Sequence, residues 1–201
     1  MKVYTDTTSL PSFRNAVTTI GTFDGVHLGH RQIILQLREE AQRIGGDTVL
    51  ITFHPHPRLI VGNKPNVLYL LNTLKEKINL LEAAGIDHLV IVPFTEEFSS
   101  QSPEAYVEDF LMAKFHPHSL IIGYDHRFGK ERRGDFNLLE KYASRSFFSL
   151  IEIPGHLLHE TTISSTRIRK ALLDGKVEEA NDLLGYSYFF SGLVIEGNKL
   201  G

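Results

Sequence analysis

Between Thr18 and Leu37 the chain reads TTIGTFDGVHLGHRQIILQL. Val17–Ile20 has the composition of a short buried strand, and Ile33, Ile34 and Leu37 recur at helical spacing. Gly21 and Gly25 break the pattern between them. A strand therefore runs into a glycine-bearing loop and then into a helix. His27, Gly29 and His30, written H-L-G-H, sit at that junction. A helix N-terminus offers unspent backbone N–H groups and the positive end of a dipole, which suits phosphate. Two imidazoles beside it add donors that can follow charge as a phosphoryl group reacts, and Gly29 leaves room for close approach. Taken alone, the same four residues also fit ordinary capping histidines.

The strand-then-helix rhythm continues. Apolar runs at Thr48–Phe53, His88–Val92, Ser119–Ile122 and Phe147–Ile153 read as strands. Thr73–Ala84, followed by Gly85, reads as an amphipathic helix, and Ser102–Pro103 as the cap and first residue of a helix to about Lys114. Phe136–Tyr142, Ser164–Leu173 and Val177–Leu184 complete the helices. Continuous rather than alternating apolar strands imply an α/β fold, a parallel sheet with helices on both faces. Ligands in such sheets bind at the carboxyl ends of strands. That edge collects Asp24–His30, His54–Pro57, Phe94–Phe98 and Gly123–Gly129.

Composition narrows the chemistry. With no cysteine, disulfides, thiolate metal sites and cysteine nucleophiles are excluded. A net charge of −3 argues against non-specific nucleic-acid binding. No apolar run approaches a membrane span, and the N-terminus lacks a signal-peptide core, so a cytoplasmic location is expected.

A second phosphate signature reads ISSTRIR, from Ile163 to Arg169. Ser164, Ser165 and Thr166 place three hydroxyls at a helix start, with Arg167 and Arg169 just behind. Hydroxyls, free N–H groups and a cation can together hold phosphate oxygens; plain N-capping with exposed arginines fits too.

H-x-G-H opening one helix and I-S-S-T-x-I-R opening another is the paired signature of the nucleotidyltransferase superfamily. TIGTFDGVHLGHRQII, TFHPHP, VPFTEEFSSQSPEAYVEDFL, GYDHRFGKERRGD and ISSTRIRKALLDGKVEEANDLLGY stand in the order found in the bacterial bifunctional riboflavin kinase/FAD synthetases. From Thr18 to Leu184 the chain resembles their N-terminal FMN adenylyltransferase module. The resemblance implies a Rossmann-like nucleotidyltransferase fold and transfer of AMP from ATP to FMN, with Mg²⁺, giving FAD and pyrophosphate. His27 and His30 would contact the ATP phosphates. Gly21, Phe23, Asp24 and Gly29 would shape the ATP loop, and Ser164, Ser165 and Thr166 would hold the β- and γ-phosphates. Arg169, with Arg167 beside it, would supply positive charge. His54, Pro55, His56 and Pro57 would wall the flavin, with Asp125 and Phe128 from the Gly123–Gly129 loop.

Three readings stay open from the sequence. Asp24 could orient a histidine, reach Mg²⁺ through water, or cap its loop. His54 and His56 have metal-ligand spacing, but no carboxylate lies near them in sequence. His126 stands where the family usually has Phe. The resemblance implies a transferase domain over residues 1–184. The aromatic stretch Tyr186–Ile195 is expected to be the first strand of a riboflavin kinase module over residues 185–201, whose own phosphate motif would follow Gly201. By itself the chain is expected not to phosphorylate riboflavin. The rival functions are adenylyl transfer to phosphopantetheine or nicotinamide mononucleotide, and a non-catalytic flavin- or nucleotide-binding module.

Overall fold

The computed structural model describes residues 1–61, 68–145, 147–155 and 163–194. Gly62 and Pro65 of the proline-rich loop, and Ile195–Gly201 of the tail, lie outside them.

Val17–Ile20 (β2) is buried at every position, as its β-branched residues require, and pairs in parallel with Thr48–His54 (β3) on one side and Ser119–Gly123 (β5) on the other. His88–Pro93 (β4) adds to β3, and Lys2–Tyr4 (β1) closes that edge. Ser149–Ile153 (β6) closes the other. The six-stranded order among the described residues is therefore β1-β4-β3-β2-β5-β6, all parallel. The chain moves outward from β2 in one direction through β3 and β4, then returns to place β5 on β2's other side. This reversal puts a crevice at the carboxyl ends of β2 and β5.

Both sheet faces are apolar, so successive residues of one strand serve two cores. Leu50, Leu89, Ile91 and Ile121 face Leu28–Ile44 (α1) and Leu74–Ala83 (α3), between them enclosing Leu37 and Leu81. Their neighbours Val49, Ile51, Val90, Leu120 and Ile122 face the aromatic side, where Tyr106, Phe110 and Phe115 are buried. That aromatic helix, α5, runs on from Pro103–Ala105 through Tyr106–Met112 to Ala113–Phe115, and its middle is π-helical. Ser102 caps it by accepting the Ala105 N–H. Phe136–Ala143 (α6) flanks it. Between β3 and α3 lies the short helix Pro57–Ile60 (α2), and Glu96–Ser99 (α4) follows β4. Ser165–Leu173 (α7) and Val177–Leu184 (α8) form a third small core with Leu71.

The tail departs from the sequence expectation. Tyr186–Ile195 is rich enough in aromatic and β-branched residues to suggest a strand, yet residues 186–194 form none. Tyr186 and Tyr188 instead pack on the α7–α8 core. Tyr186 donates its hydroxyl to the Gly25 carbonyl at 2.6 Å, and Ser191 donates its N–H and hydroxyl to Glu76 on α3. A polar partner in the glycine loop holds the aromatic ring where a sheet neighbour would otherwise be needed.

Candidate active site

The loop leaving β2 holds its shape against local preference. Phe23 and Val26 both have positive φ, as does Gly25 at +86°. Strain of this kind persists only where surroundings impose it. Phe23 is 1% exposed and packs on Gly21, where a Cβ would come within 2.9 Å of its ring. The turn delivers His27 as the N-cap of α1, its Nδ1 accepting the His30 N–H at 3.3 Å. An acceptor Nδ1 leaves the proton on Nε2. The His27 and His30 rings stack at 3.6 Å, and His30 also touches Phe23. His30 Nδ1 is buried without a hydrogen-bond partner among the described residues.

The motif near the C-terminus arrives at the same place. Arg169 donates to Asp24 Oδ2 at 2.7 Å and to the Tyr69 carbonyl at 2.7 Å. Ser165 donates its hydroxyl to the Asp24 carbonyl at 2.9 Å. Asp24 Oδ1 accepts the Leu71 N–H. Asp24, three residues before H-L-G-H, and Arg169, the last residue of I-S-S-T-R-I-R, are 145 positions apart, so one buried carboxylate joins the two stretches. Asp24 thus acts as a clasp: each carboxylate oxygen accepts one hydrogen bond, from Leu71 and from Arg169, and no hydrogen bond joins it to a histidine among the described residues. Arg169 is correspondingly not a free cation. Arg167 is half-exposed and pairs with Glu179 at 3.0 Å. Ser164 is the N-cap of α7, accepting the Arg167 N–H. Thr166 is exposed in the first turn. The Ser164 side chain takes the Arg167 N–H, and the N–H groups of Ser165 and Thr166 at the helix start have no partner among the described residues.

The flavin-side residues divide. His54 is exposed at the end of β3, whereas His56 is buried and caps α2, its Nδ1 accepting the Arg58 N–H. His56 Nδ1 is thus taken by the cap, and among the described residues no group of three His, Cys, Asp or Glu could hold a metal ion. Pro57 occupies the first turn of α2, and Pro55 precedes it. Asp125 is exposed; Phe128 is buried and stacks on Tyr106 at 4.9 Å. Phe128 therefore presents little of its ring to the crevice. Phe53, Phe94 and Phe98 form a half-buried aromatic trio at the carboxyl ends of β3 and β4. His126 lies against Phe128 at 5.7 Å, and burial, then Arg132 and Arg127, pull its pKa down to about 4. It stands at neutral pH as an uncharged ring.

Burial, then Arg169, lowers His27 to about 4; burial, then His27 and Lys77, pushes His30 well below the usual histidine range. Both are neutral donors at pH 7. A histidine that resists protonation only when folded makes the unfolded state bind more protons between pH 6.5 and 4, so stability falls as pH drops through that window. His27 alone accounts for roughly 3 kcal/mol. Acid unfolding monitored by circular dichroism should begin near pH 6 in the wild type, and His27→Gln should move the onset downward.

Sequence reasoning missed Lys77. On α3 it reads as one more charge of an amphipathic helix, yet it is buried, with Nζ donating to the Thr22 carbonyl at 2.8 Å.

Comparison with known proteins decides the family. Residues 10–167 match the family model described as FAD synthetase. The chain belongs to the FAD synthetase family. It is 39% identical over 187 residues to a Listeria monocytogenes protein named bifunctional riboflavin kinase/FMN adenylyltransferase, covering 93% of this chain and 59% of that one. A Buchnera aphidicola protein of the same name is 40% identical over 188 residues, covering 93% and 60%. The corresponding Escherichia coli K12 protein is 34% identical over 186 residues, covering 92% and 59%. This FAD synthetase-family chain thus spans about three fifths of the length of these relatives. Its fold is that of a solved Streptococcus pneumoniae structure titled a macrolide-efflux protein, with a TM-score of 0.73 and 24% identity over 92% of this chain and 60% of that one. Among the described residues, no helix is long and apolar enough to cross a membrane.

Proposed function

We propose that the chain is an FMN adenylyltransferase, forming FAD and pyrophosphate from ATP and FMN. The observation that carries this reading is the meeting of two helix N-termini, those of α1 and α7, across the Asp24 clasp at the sheet's switch point. A triphosphate laid there would meet donors from both. An oxygen of the FMN phosphate attacks the α-phosphorus of ATP, the new P–O bond forms, and the α–β bridging bond breaks. The nucleophile is already an anion, so no strong base is needed, and positioning with charge stabilisation supplies the rate. Neutral His27 and His30 donate to oxygens on which charge accumulates. The N–H groups of Ser165 and Thr166 receive the departing pyrophosphate.

Mg²⁺ would come with its nucleotide. Among the described residues no group of three His, Cys, Asp or Glu could hold it, and Asp24 is held by Arg169 and Leu71; Mg²⁺ binds readily through phosphates and water. Flavin is assigned to the rim from His54–Pro57 to the Phe53, Phe94 and Phe98 trio, with Asp125 and Phe128 beside it. Riboflavin phosphorylation, the other activity in the relatives' names, is assigned to sequence beyond the matched three fifths, with residues 185–201 leading into it. A reaction that consumes ATP and FMN is placed in the cytoplasm.

Flavin fluorescence tests the acceptor. FMN should be quenched on titration with the chain, more strongly when a non-hydrolysable ATP analogue is present. Unchanged fluorescence at saturating protein would remove the flavin assignment.

A further inference from the structure

The cleft contains a cation that the motifs do not name. Lys77 reaches from α3 to the glycine loop, is 7% exposed, and spends one N–H on the Thr22 carbonyl. An ammonium carries three donors, and the other two have no hydrogen-bond partner among the described residues. Burying a charge with donors unspent is costly unless a partner is supplied. The surroundings are informative about which partner. Lys77 lies within electrostatic reach of Asp24, His30 and His56. Asp24 is already bonded to Arg169, which neutralises that pair. Arg167 is turned toward Glu179. His27, His30 and His56 all have lowered pKa values and are neutral at pH 7. Among Asp24, Arg169, the three histidines and Lys77, one positive charge is left over, on Lys77; the buried carboxylate of Glu76, next in sequence, is engaged by Thr73 and Ser191. His30 Nδ1 is a buried polar atom of the same region without a hydrogen-bond partner among the described residues, as is Asn72 Nδ2 beside Tyr186.

We infer that Lys77 is a phosphate-binding residue of the cleft, its free N–H groups donating to the polyphosphate of the bound nucleotide. This rests on the reading of the cleft as a nucleotide site and adds the residue that supplies its net charge. Arg169 then serves a different purpose, locking the two motifs together while contributing little free charge.

The test is equilibrium binding of ATP, inorganic tripolyphosphate and adenosine to the 201-residue chain, to Lys77→Met and to Lys77→Arg. A charge-assisted hydrogen bond is worth roughly a 10- to 100-fold change in affinity. Lys77→Met should lose that much for ATP and tripolyphosphate, bind adenosine as the wild type does, and melt within a few degrees of it. Lys77→Arg should recover part of the tripolyphosphate affinity. Parallel loss of ATP and adenosine in Lys77→Met would overturn the inference in favour of a structural role, as would unchanged tripolyphosphate binding. Wild-type chain that binds tripolyphosphate through Lys77 but makes no FAD would leave the inference standing and remove the adenylyl-transfer reading.

Discussion

Replacing Asp24 with Asn should destabilise the chain by about 3–5 kcal/mol. Its carboxylate is 1% exposed and faces an Arg169 side chain that is only 12% exposed. The variant keeps an oxygen for the Leu71 N–H but leaves a guanidinium buried without its counter-charge. For a domain near 200 residues, that loss corresponds to a fall in melting temperature of roughly 6–20 °C. Asp24→Asn combined with Arg169→Met should melt well above the value obtained by adding the two single losses, because the second change removes the stranded charge. The clasp also ties α7 to the loop that carries His27, so the single variant should lose adenylyl transfer at temperatures where it is still folded. A melting temperature within about 2 °C of wild type would show that the pair is not what holds the two motifs together.

The second large effect is on turnover. His30→Ala removes a neutral donor positioned by Phe23 and by the stacked His27 ring. Loss of one such donor costs on the order of 10²–10³ in kcat. The ring's buried Nδ1 makes no bond among the described residues, so folding stability should change little more than an ordinary cavity requires. FMN affinity should persist, since the flavin is assigned to the rim beyond β3 and β4. Single-turnover FAD formation alongside flavin titration separates these quantities. Equal loss of binding and turnover would assign His30 to architecture instead of chemistry.

The sheet was legible because each of its longer strands is a continuous apolar run. β2 and α8 fall where periodicity places them, and α7 starts one residue after its Ser164 cap. β1 was invisible for a physical reason. It has three residues, two of them exposed, and only pairing with β4 defines it. The π-helical middle of α5 likewise has no signature in a sequence that simply reads as amphipathic. At the site, the two phosphate motifs could be read locally, as capped helix starts. Their connection could not. Asp24 looks like a loop residue and Arg169 like a phosphate cation until the fold puts them 2.7 Å apart. Lys77 was hidden by the same logic, because burial of one lysine on a polar-looking helix face depends on the loop packed over it. The tail shows the converse, a β-rich composition spent on packing against α7 and α8.

Pyrophosphate release is the most direct measurement of the proposed reaction. Purified chain, ATP and Mg²⁺ would be supplied separately with FMN, riboflavin, phosphopantetheine and nicotinamide mononucleotide. The expected result is release with FMN alone, matched mole for mole by FAD. Release with another acceptor and not with FMN would contradict it, as would the absence of release with all four.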